Sequence, residues 1–216
     1  MAKLLTAAAA IAMSLGLGQG FAVAQTATDT ASAAATATAA AIEIQNFGIG
    51  AADAKVVIDE FASFTCPHCA DFHEEVYPQL KADYIDTGKV RLVYNEVYFD
   101  RYGLWAAMMA RCGGEMRYIG ITDTLYSTQR DWAASDKPAE VVENLKKIGR
   151  AAGMDDKTLD ACMQDTTMAQ ALIDHYETGF KAAGIEGTPT LLINGEKHSN
   201  MSYADLKVLI DAELAK

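Results

Sequence analysis

The stretch FASFTCPHCADFHEE, residues 61–75, contains two cysteines separated by two residues, and different patterns flank them. Residues 55–64 are rich in β-branched and aromatic side chains, which predicts a buried strand. Pro67 suits the first turn of a helix, where its missing N–H costs nothing. Apolar residues then recur every four positions over residues 72–84, so we predict a helix there, bent at Pro78.

A pair of cysteines at this spacing is typical of several kinds of site. A structural zinc site needs four ligands, and Cys66 and Cys69 supply only two of them. His68 and His73 lie nearby, but no second C-x-x-C and no H-x-x-x-H follows, so a zinc-binding module remains an alternative. Haem attachment requires a histidine where this chain has Ala70. A structural disulfide across so short a loop adds little stability, because the stabilisation grows with loop length.

A redox-active dithiol fits the strand and helix that surround the two cysteines. At the start of a helix, Cys66 faces unpaired N–H groups and the positive end of the helix dipole. A protonated or hydrogen-bond-donating His68 adds a further partner, and all of these lower the thiol pKa. Cys69, one turn along, is expected to be more buried. A stabilised thiolate favours the reduced protein, so the disulfide form is predicted to be oxidising.

The first 41 residues contain two segments outside the predicted core. Residues 1–24 have one cation, Lys3, an uncharged apolar run and an A-x-A-like site that ends at Ala24. This pattern predicts a secretory signal peptide cleaved after Ala24, with an uncleaved membrane anchor as the alternative. Residues 25–41 are almost entirely Ala, Thr and Ser, which predicts a flexible leader because no large side chain is available to bury.

Composition and charge limit the compartment and the partners. The formal net charge is −11, so we expect nucleic acid and anionic membrane surfaces to repel the chain. Half of the 216 residues are apolar, enough for one core or a core with an inserted subdomain. Export implies an oxidising compartment, where disulfides persist. Two of the four cysteines are neighbours and two stand far apart, which indicates two different functions.

Strand signals occupy both ends of the remaining chain. Residues 42–47 open with an apolar–acidic alternation and predict a short strand, and residues 90–99 predict another. Near the carboxyl end, the apolar run TPTLLI precedes Asn194–Gly195, which predicts a two-residue hairpin to the strand EKHS. Ser202, followed three positions later by an aspartate, resembles a capping box that opens a final helix.

Helical spacing dominates the middle of the chain. We therefore predict an α/β domain whose halves, residues 42–99 and 180–216, flank an all-helical insertion at residues 100–179. The segments EFASFTCPHC and GTPTLLING, on either side of the helical region, resemble the DsbA family of periplasmic thiol:disulfide oxidoreductases. That resemblance implies a thioredoxin-like fold with an inserted all-helical subdomain.

The resemblance assigns roles to the residues that match the family motif. Cys66 is implied to be the nucleophile and Cys69 its resolving partner. The dipeptide Pro67–His68 matches the one found in the oxidase of the family. Glu60 matches a buried acidic residue that assists proton movement, although by itself it also suits a surface carboxylate on a strand.

Two further residues are assigned near the carboxyl end. Pro189 is implied to be the cis-proline beside the dithiol, and Thr188 to offer backbone hydrogen bonds to an extended substrate. Taken alone, Pro189 also suits an ordinary trans proline at a strand edge. The oxidase has Val at the position of Thr188, whereas related isomerases have Thr, so a disulfide isomerase or reductase of the same fold remains the alternative.

The distant cysteines lie in predicted helices of the insertion. Cys112 and Cys162 are predicted to form a structural disulfide that closes a loop of about 50 residues. Two separate buried thiols and a regulatory pair are the alternatives.

The implied activity is the introduction of disulfide bonds into exported proteins in the periplasm. The implied partners are unfolded or reduced exported proteins and a DsbB-like, quinone-linked membrane oxidase that restores the disulfide form. The chain is expected to be a monomer, to need no bound cofactor or metal, and to bind no nucleic acid.

Overall fold

A computed structural model of the protein describes residues 42–216. The predicted signal peptide, residues 1–24, and the predicted leader, residues 25–41, both lie outside the described residues. Among the residues that are described, we find no helix with the length and apolar character needed to span a bilayer.

The described chain forms five strands and nine α-helices, with a π-helical turn after α2. Their bounds in chain order are β1 Gly48–Ile49, β2 Val56–Ala62, α1 Pro67–Glu75, α2 Tyr77–Leu80, the π-helical turn Lys81–Ile85, β3 Val90–Glu96, α3 Arg101–Cys112, α4 Glu115–Ser127, α5 Gln129–Trp132, α6 Pro138–Ala151, α7 Asp156–Met163, α8 Thr166–Ala182, β4 Thr190–Ile193, β5 Glu196–Ser199 and α9 Tyr203–Ala215.

The strands form one mixed sheet in the order β1-β3-β2-β4-β5. β2 lies at its centre, parallel to β3 and antiparallel to β4, while β1 and β5 are antiparallel edge strands. Because β2 is flanked on both sides, its apolar residues are buried apart from the half-buried Val57, as the β-branched run predicts. The carboxyl end of this central strand leads directly to the loop that carries Cys66, so the dithiol starts from a rigid part of the sheet.

The helix after Cys66 is bent where the sequence predicts. α1 ends at Glu75, and a new helical turn begins at Tyr77, immediately before Pro78, which has no N–H to continue the ladder. The side chains of Phe72 and Leu80 remain on the buried side of both segments.

The elements between β3 and β4 are all helices, α3 to α8. α3 is central among them, because it contacts α4, α6, α7 and α8. Its side chains Met108 and Met109 are buried. The division of the chain into a domain of residues 42–99 and 180–216 and an insertion of residues 100–179 stays a prediction.

One predicted strand is wrong. Residues 42–47 are not a strand, and the pairing with β3 is instead made by β1. The Tyr94 N–H donates to the Phe47 carbonyl at 2.8 Å, but residues 42–47 form no ladder with β3. The Phe47 ring packs on Tyr118 with centroids 4.8 Å apart, and the Asn46 amide donates to Asn95 at 2.6 Å. Side-chain contacts, rather than a ladder of backbone hydrogen bonds, therefore hold residues 42–47 against the rest of the fold.

The signals near the carboxyl end are confirmed. Asn194 and Gly195 have φ angles of 47° and 86°, the left-handed conformations that a two-residue hairpin between β4 and β5 requires. The Ser202 hydroxyl accepts a hydrogen bond from the Asp205 N–H and caps α9.

Candidate active site

Cys66 lies where the chain passes from β2 to α1. Its N–H donates to the Ser63 carbonyl at 3.1 Å, which closes the turn after the strand. Cys66 has an extended conformation (φ −81°, ψ 119°) and is the N-cap of α1, followed by Pro67 in the first turn. Its side chain is half-buried, whereas that of Cys69 is fully buried. One thiol is therefore open to solvent and the other is enclosed.

Hydrogen bonding lowers the pKa of the Cys66 thiol from 9.0 to about 5. The largest cause is the hydrogen bond with the thiol of Cys69, and partial burial opposes it. Thr188 and the backbone N–H groups of Cys69 and His68 lower the pKa further. The N–H groups at the helix start contribute as the sequence predicts, but the second thiol contributes more. At neutral pH Cys66 is a thiolate.

Burial raises the pKa of the Cys69 thiol well above its ordinary value of 9.0. Its hydrogen bond to Cys66, repulsion from the Cys66 thiolate and the negative charge of Glu60 raise it further. The two thiols of one helical turn thus differ in charge at neutral pH. One is a half-buried anion and the other a fully buried, protonated sulfur.

The ring of His68 points towards the solvent. The imidazole is 76% exposed, and its Nδ1 lies 3.8 Å from the Asp71 carboxylate. What His68 contributes to the lowered pKa of Cys66 is its backbone N–H. The ring makes no hydrogen bond to the Cys66 sulfur in the described structure, so a contribution of a protonated or donating imidazole to the thiolate stays a prediction.

The peptide bond between Thr188 and Pro189 is cis, so the alternative of a trans proline is excluded. These residues immediately precede β4, which pairs with β2. The Thr188 carbonyl accepts a hydrogen bond from the Cys66 Sγ at 3.5 Å when the thiol is protonated. Both residues line a cleft together with His198 and Asn200. Residues 122 positions apart thus form one site.

Glu60 is completely buried in β2, so the alternative of a surface carboxylate is wrong. Its two carboxylate oxygens lie 3.0 and 3.2 Å from Nε2 of His73 in α1. From the sequence, His73 is a candidate only for a zinc ligand. Its spacing of four residues from Cys69 was the available signal, because residues four apart share one face of a helix.

Gln129 in α5 was not identified from the sequence. Its side-chain amide donates to the Phe64 carbonyl at 2.8 Å and to the Cys66 carbonyl at 3.0 Å. A second connection joins the same loop to α3, since the Thr65 hydroxyl donates at 2.6 Å to Asp100, the N-cap of that helix. The helices between β3 and β4 therefore hold the loop that presents Cys66.

The other two cysteines are bonded to each other. Cys112 at the end of α3 and Cys162 in α7 form a disulfide with a Cα–Cα distance of 5.9 Å, across a sequence separation of 50. Within residues 42–216, no group of three His, Cys, Asp or Glu side chains is arranged to hold a metal ion.

Comparison with known proteins supports one family. The family model described as "Thioredoxin" matches residues 21–212. The "Putative protein-disulfide oxidoreductase" of Rickettsia bellii is 33% identical over 164 residues, which cover 76% of this chain and 62% of that protein. "Disulfide bond formation protein D" of Bacillus subtilis is 24% identical over 178 residues, covering 77% of this chain and 76% of that protein. The chain thus spans less than two thirds of the Rickettsia relative.

Solved structures show the same fold. Wolbachia pipientis alpha-DsbA1 superposes with a TM-score of 0.74 at 23% identity, covering 81% of this chain and 93% of that chain. Oxidised BdbD from Bacillus subtilis has a TM-score of 0.71 at 21% identity, covering 79% and 94%. The thioredoxin-like fold predicted from the sequence is confirmed.

Proposed function

The chain belongs to the thioredoxin family, and on that premise we propose that it is a thiol:disulfide oxidoreductase that introduces disulfide bonds into exported proteins. One observation carries the proposal. The pKa of Cys66 is lowered to about 5 while that of its neighbour Cys69 is raised, so a single turn holds a reactive thiolate and a protonated thiol. The names of the Rickettsia and Bacillus relatives support the same activity.

The exchange begins from the disulfide form. A thiolate of the substrate attacks the half-buried Cys66 sulfur, the Cys66–Cys69 bond breaks, and a mixed disulfide forms. A second substrate thiolate then attacks the substrate sulfur of that bond and expels Cys66. Because Cys66 leaves as a stabilised thiolate, the equilibrium favours the reduced enzyme and the oxidised substrate.

The cleft beside Cys66 is the proposed substrate site. Thr188, whose carbonyl lies 3.5 Å from Cys66 Sγ, and Pro189 line this cleft just before β4, and an extended peptide is proposed to pair with the backbone of Thr188 there. Glu60 is proposed to assist proton movement at Cys69, because its negative charge raises the pKa of that thiol. Pro67 and His68 form the first turn of α1, and they fix the backbone conformation directly after Cys66.

The compartment and the partners follow from the proposed activity. We propose that residues 1–24 are a signal peptide, that residues 25–41 are a leader, and that the mature chain acts in the periplasm as a monomer. Its substrates are unfolded or reduced exported proteins, and a DsbB-like, quinone-linked membrane oxidase restores the disulfide form. Cys112 and Cys162 are proposed to be purely structural, and Cys66 and Cys69 to need no cofactor.

A disulfide isomerase or reductase of the same fold is the second candidate. The observation that favours it is Thr188 beside the reactive thiol, where the oxidase of the resembled family has Val. An isomerase resolves wrongly paired disulfides without net oxidation, so the two functions differ in the substrate that they require.

Ribonuclease A in two forms separates these functions. We expect the full chain, in a glutathione buffer, to form disulfides in reduced ribonuclease faster than the buffer alone. Cys66→Ser abolishes the acceleration, whereas the matched double variant Cys112→Ser/Cys162→Ser retains it. Acceleration only with scrambled ribonuclease assigns the isomerase instead. Stoichiometric zinc after purification, together with no redox activity, overturns both assignments in favour of the zinc-binding module.

A further inference from the structure

A cleft lined by neither Cys66 nor Cys69 lies between α1, α2 and α4. Its volume is about 470 Å³, within the range of ~300–1,000 Å³ that is usual for small-molecule sites. Lys81, which lines this cleft, begins the π-helical turn, and π-helical turns are rare and occur frequently at functional sites. The cleft therefore has the size and the irregular wall of a binding site.

Uncharged groups of the cleft present hydrogen-bond acceptors. Glu74 and Pro78 both line it, and Pro78 has no N–H to donate to the Glu74 carbonyl four positions earlier in the helix. The hydroxyls of Thr124 and Ser127 already donate to backbone carbonyls of α4, at 2.8 and 3.3 Å. Each hydroxyl has one donor, so only their lone pairs remain for a ligand.

The two basic side chains of the cleft have carboxylate partners outside it. His73 Nε2 lies 3.0 Å from an oxygen of Glu60, and Lys81 Nζ donates to Asp86 at 2.6 Å. The His73 side chain is 3% exposed, and its Nδ1 is buried without a hydrogen bond to any described residue. In a neutral imidazole that donates from Nε2, this nitrogen is a further acceptor.

The two acidic side chains of the cleft have no such partners. Glu74 on α1 and Asp123 on α4 form no ion pair with any residue from 42 to 216. Oδ1 of Asp123 is buried and accepts no hydrogen bond within the same part of the chain. Burial raises the pKa of the Asp123 carboxyl, whereas the charges of His73 and Lys81 lower it. A buried acceptor without a partner costs free energy, so a ligand that donates to it is stabilised.

We propose that this cleft binds a small organic cation, a primary amine on a short apolar body, with its ammonium group at Asp123 and its apolar part against Tyr77 and Pro78. An ammonium group has three donors and no acceptor, which matches a cleft whose free polar groups are acceptors. The formal net charge of −11 favours the approach of a cation. This binding site is separate from the thiols that carry the proposed oxidoreductase function.

Three compounds of similar size test which charge the cleft accepts. Pentylamine, 1-pentanol and pentanoate are titrated into the isotopically labelled full chain, and the amide NMR shifts give both the affinity and the location of binding. We expect pentylamine to bind on the order of tenfold more tightly than 1-pentanol, with shifts centred on residues 73–81 and 123–127. Pentanoate that binds as tightly as pentylamine, pentylamine shifts centred elsewhere, or no binding of pentylamine would each overturn the proposal.

Asp123→Asn removes the charge of the carboxylate and keeps the shape of the side chain. We expect this variant to bind pentylamine on the order of tenfold more weakly and 1-pentanol unchanged. The matched control is Asp131→Asn, because Asp131 is an exposed aspartate outside the cleft, and this variant should bind pentylamine like the unaltered chain. Equal affinity of Asp123→Asn and the unaltered chain for pentylamine contradicts the placement of the ammonium group. The three-compound series needs no substitution, so it decides the question even where Asp123→Asn does not fold.

A lysine side chain of another protein has the same ammonium chemistry as a free amine. Nα-acetyl-lysine methylamide carries that side chain on a peptide backbone, so its affinity is measured beside that of pentylamine. We expect pentylamine to bind more tightly, because a cleft of this volume encloses a small molecule but leaves no room for a backbone. Equal or tighter binding of the lysine derivative would overturn the assignment to a small amine, in favour of a lysine of a partner protein.

Discussion

Cys66 and Cys69 share one helical turn and carry free thiols, whereas Cys112 and Cys162 are 50 positions apart and are joined by a disulfide. The first pair begins a helix at the end of the central strand, where backbone N–H groups stabilise the outer sulfur and the Thr188 carbonyl lies 3.5 Å from it. The second pair joins two helices, α3 and α7. Identical side chains thus acquire different chemistry from the backbone that presents them.

The difference also concerns what each pair can contribute to stability. A bond between Cys66 and Cys69 closes a very short loop, so it constrains the unfolded chain little and is easily exchanged. The bond between Cys112 and Cys162 closes a long loop and constrains the unfolded chain strongly. The comparison therefore assigns reactivity to the first pair and stability to the second, and each assignment can be tested separately.

Removing the distant pair is expected to have the largest effect on stability. Cys112→Ala/Cys162→Ala should lower the free energy of unfolding by about 4 kcal/mol, because a loop of 50 residues is no longer closed in the unfolded chain. The melting temperature should fall by about 10 °C. Calorimetry measures the stability loss, and peptide oxidation should continue at the normal rate below the transition. Lost oxidation by a folded double variant would make the second pair part of the reactive machinery.

The two cysteine pairs also differ in how they affect the stability of the reduced protein at different pH values. The pKa of Cys66 is about 5 in the folded protein and 9.0 when unperturbed, so the unfolded chain binds more protons between these values. The stability of the reduced protein should therefore rise from pH 5 to pH 9 and be lost as the pH falls through 5. For a half-exposed thiol the contribution is on the order of 2 kcal/mol after solvent screening.

Urea unfolding at several pH values measures this dependence, and alkylation of Cys66 should show a midpoint at pH about 5. The control is Cys66→Ser, in which the rise of stability between pH 5 and 9 should be reduced. An alkylation midpoint between pH 8 and 9 would mean that the Cys66 thiol is unperturbed. The reactivity assigned to the first cysteine pair would then have no basis.

A substitution of Gln129 tests whether its hydrogen bonds stabilise the loop that presents Cys66. Gln129→Met keeps the shape of the side chain but leaves the carbonyls of Phe64 and Cys66 without their donor. We expect a loss of about 1–3 kcal/mol in the free energy of unfolding, measured in urea. Gln79→Met is the matched control, because Gln79 donates to the Glu75 carbonyl from an exposed position and should change stability by less than about 0.5 kcal/mol. Equal effects of both substitutions would contradict the role of Gln129.

The features that the sequence predicted correctly depend on neighbouring residues. The helix start at Pro67, the bend at Pro78 and the hairpin at Asn194 each arise from the backbone preferences of a few consecutive positions. Such preferences involve residues that are neighbours both in the sequence and in the fold, so the sequence alone reveals them. The prediction of a strand at residues 42–47 is wrong, because an alternating pattern does not reveal which residues each side chain contacts in the fold.

The features that were missed are long-range. Gln129 reaches Cys66 across 63 positions, and no local pattern marks a glutamine in a short helix as the holder of a distant loop. His73 and Glu60 are 13 positions apart and meet only because α1 packs on the central strand. The orientation of His68 depends on solvent and on Asp71, so the identity of the residue alone did not fix its role.

The smallest expected effect concerns Thr188, which contacts the reactive thiol directly. Thr188→Val removes the side-chain hydroxyl that contributes to the lowered pKa of Cys66, whereas the larger contribution from Cys69 remains. The alkylation midpoint should therefore rise by less than about one pH unit, equivalent to less than about 1.4 kcal/mol. Cys69→Ala should raise it more, because that variant removes the largest cause.

Thr190→Val is the matched control for Thr188→Val. Its hydroxyl donates to the Gly187 carbonyl at 2.7 Å and is not among the groups that lower the pKa of Cys66, so this variant should leave the midpoint unchanged. A fall of the midpoint in Thr188→Val would mean that the threonine hydroxyl destabilises the thiolate. The lowered pKa would then be due to Cys69 and the helix N–H groups alone, and the residue before Pro189 would tune the redox balance in the opposite direction.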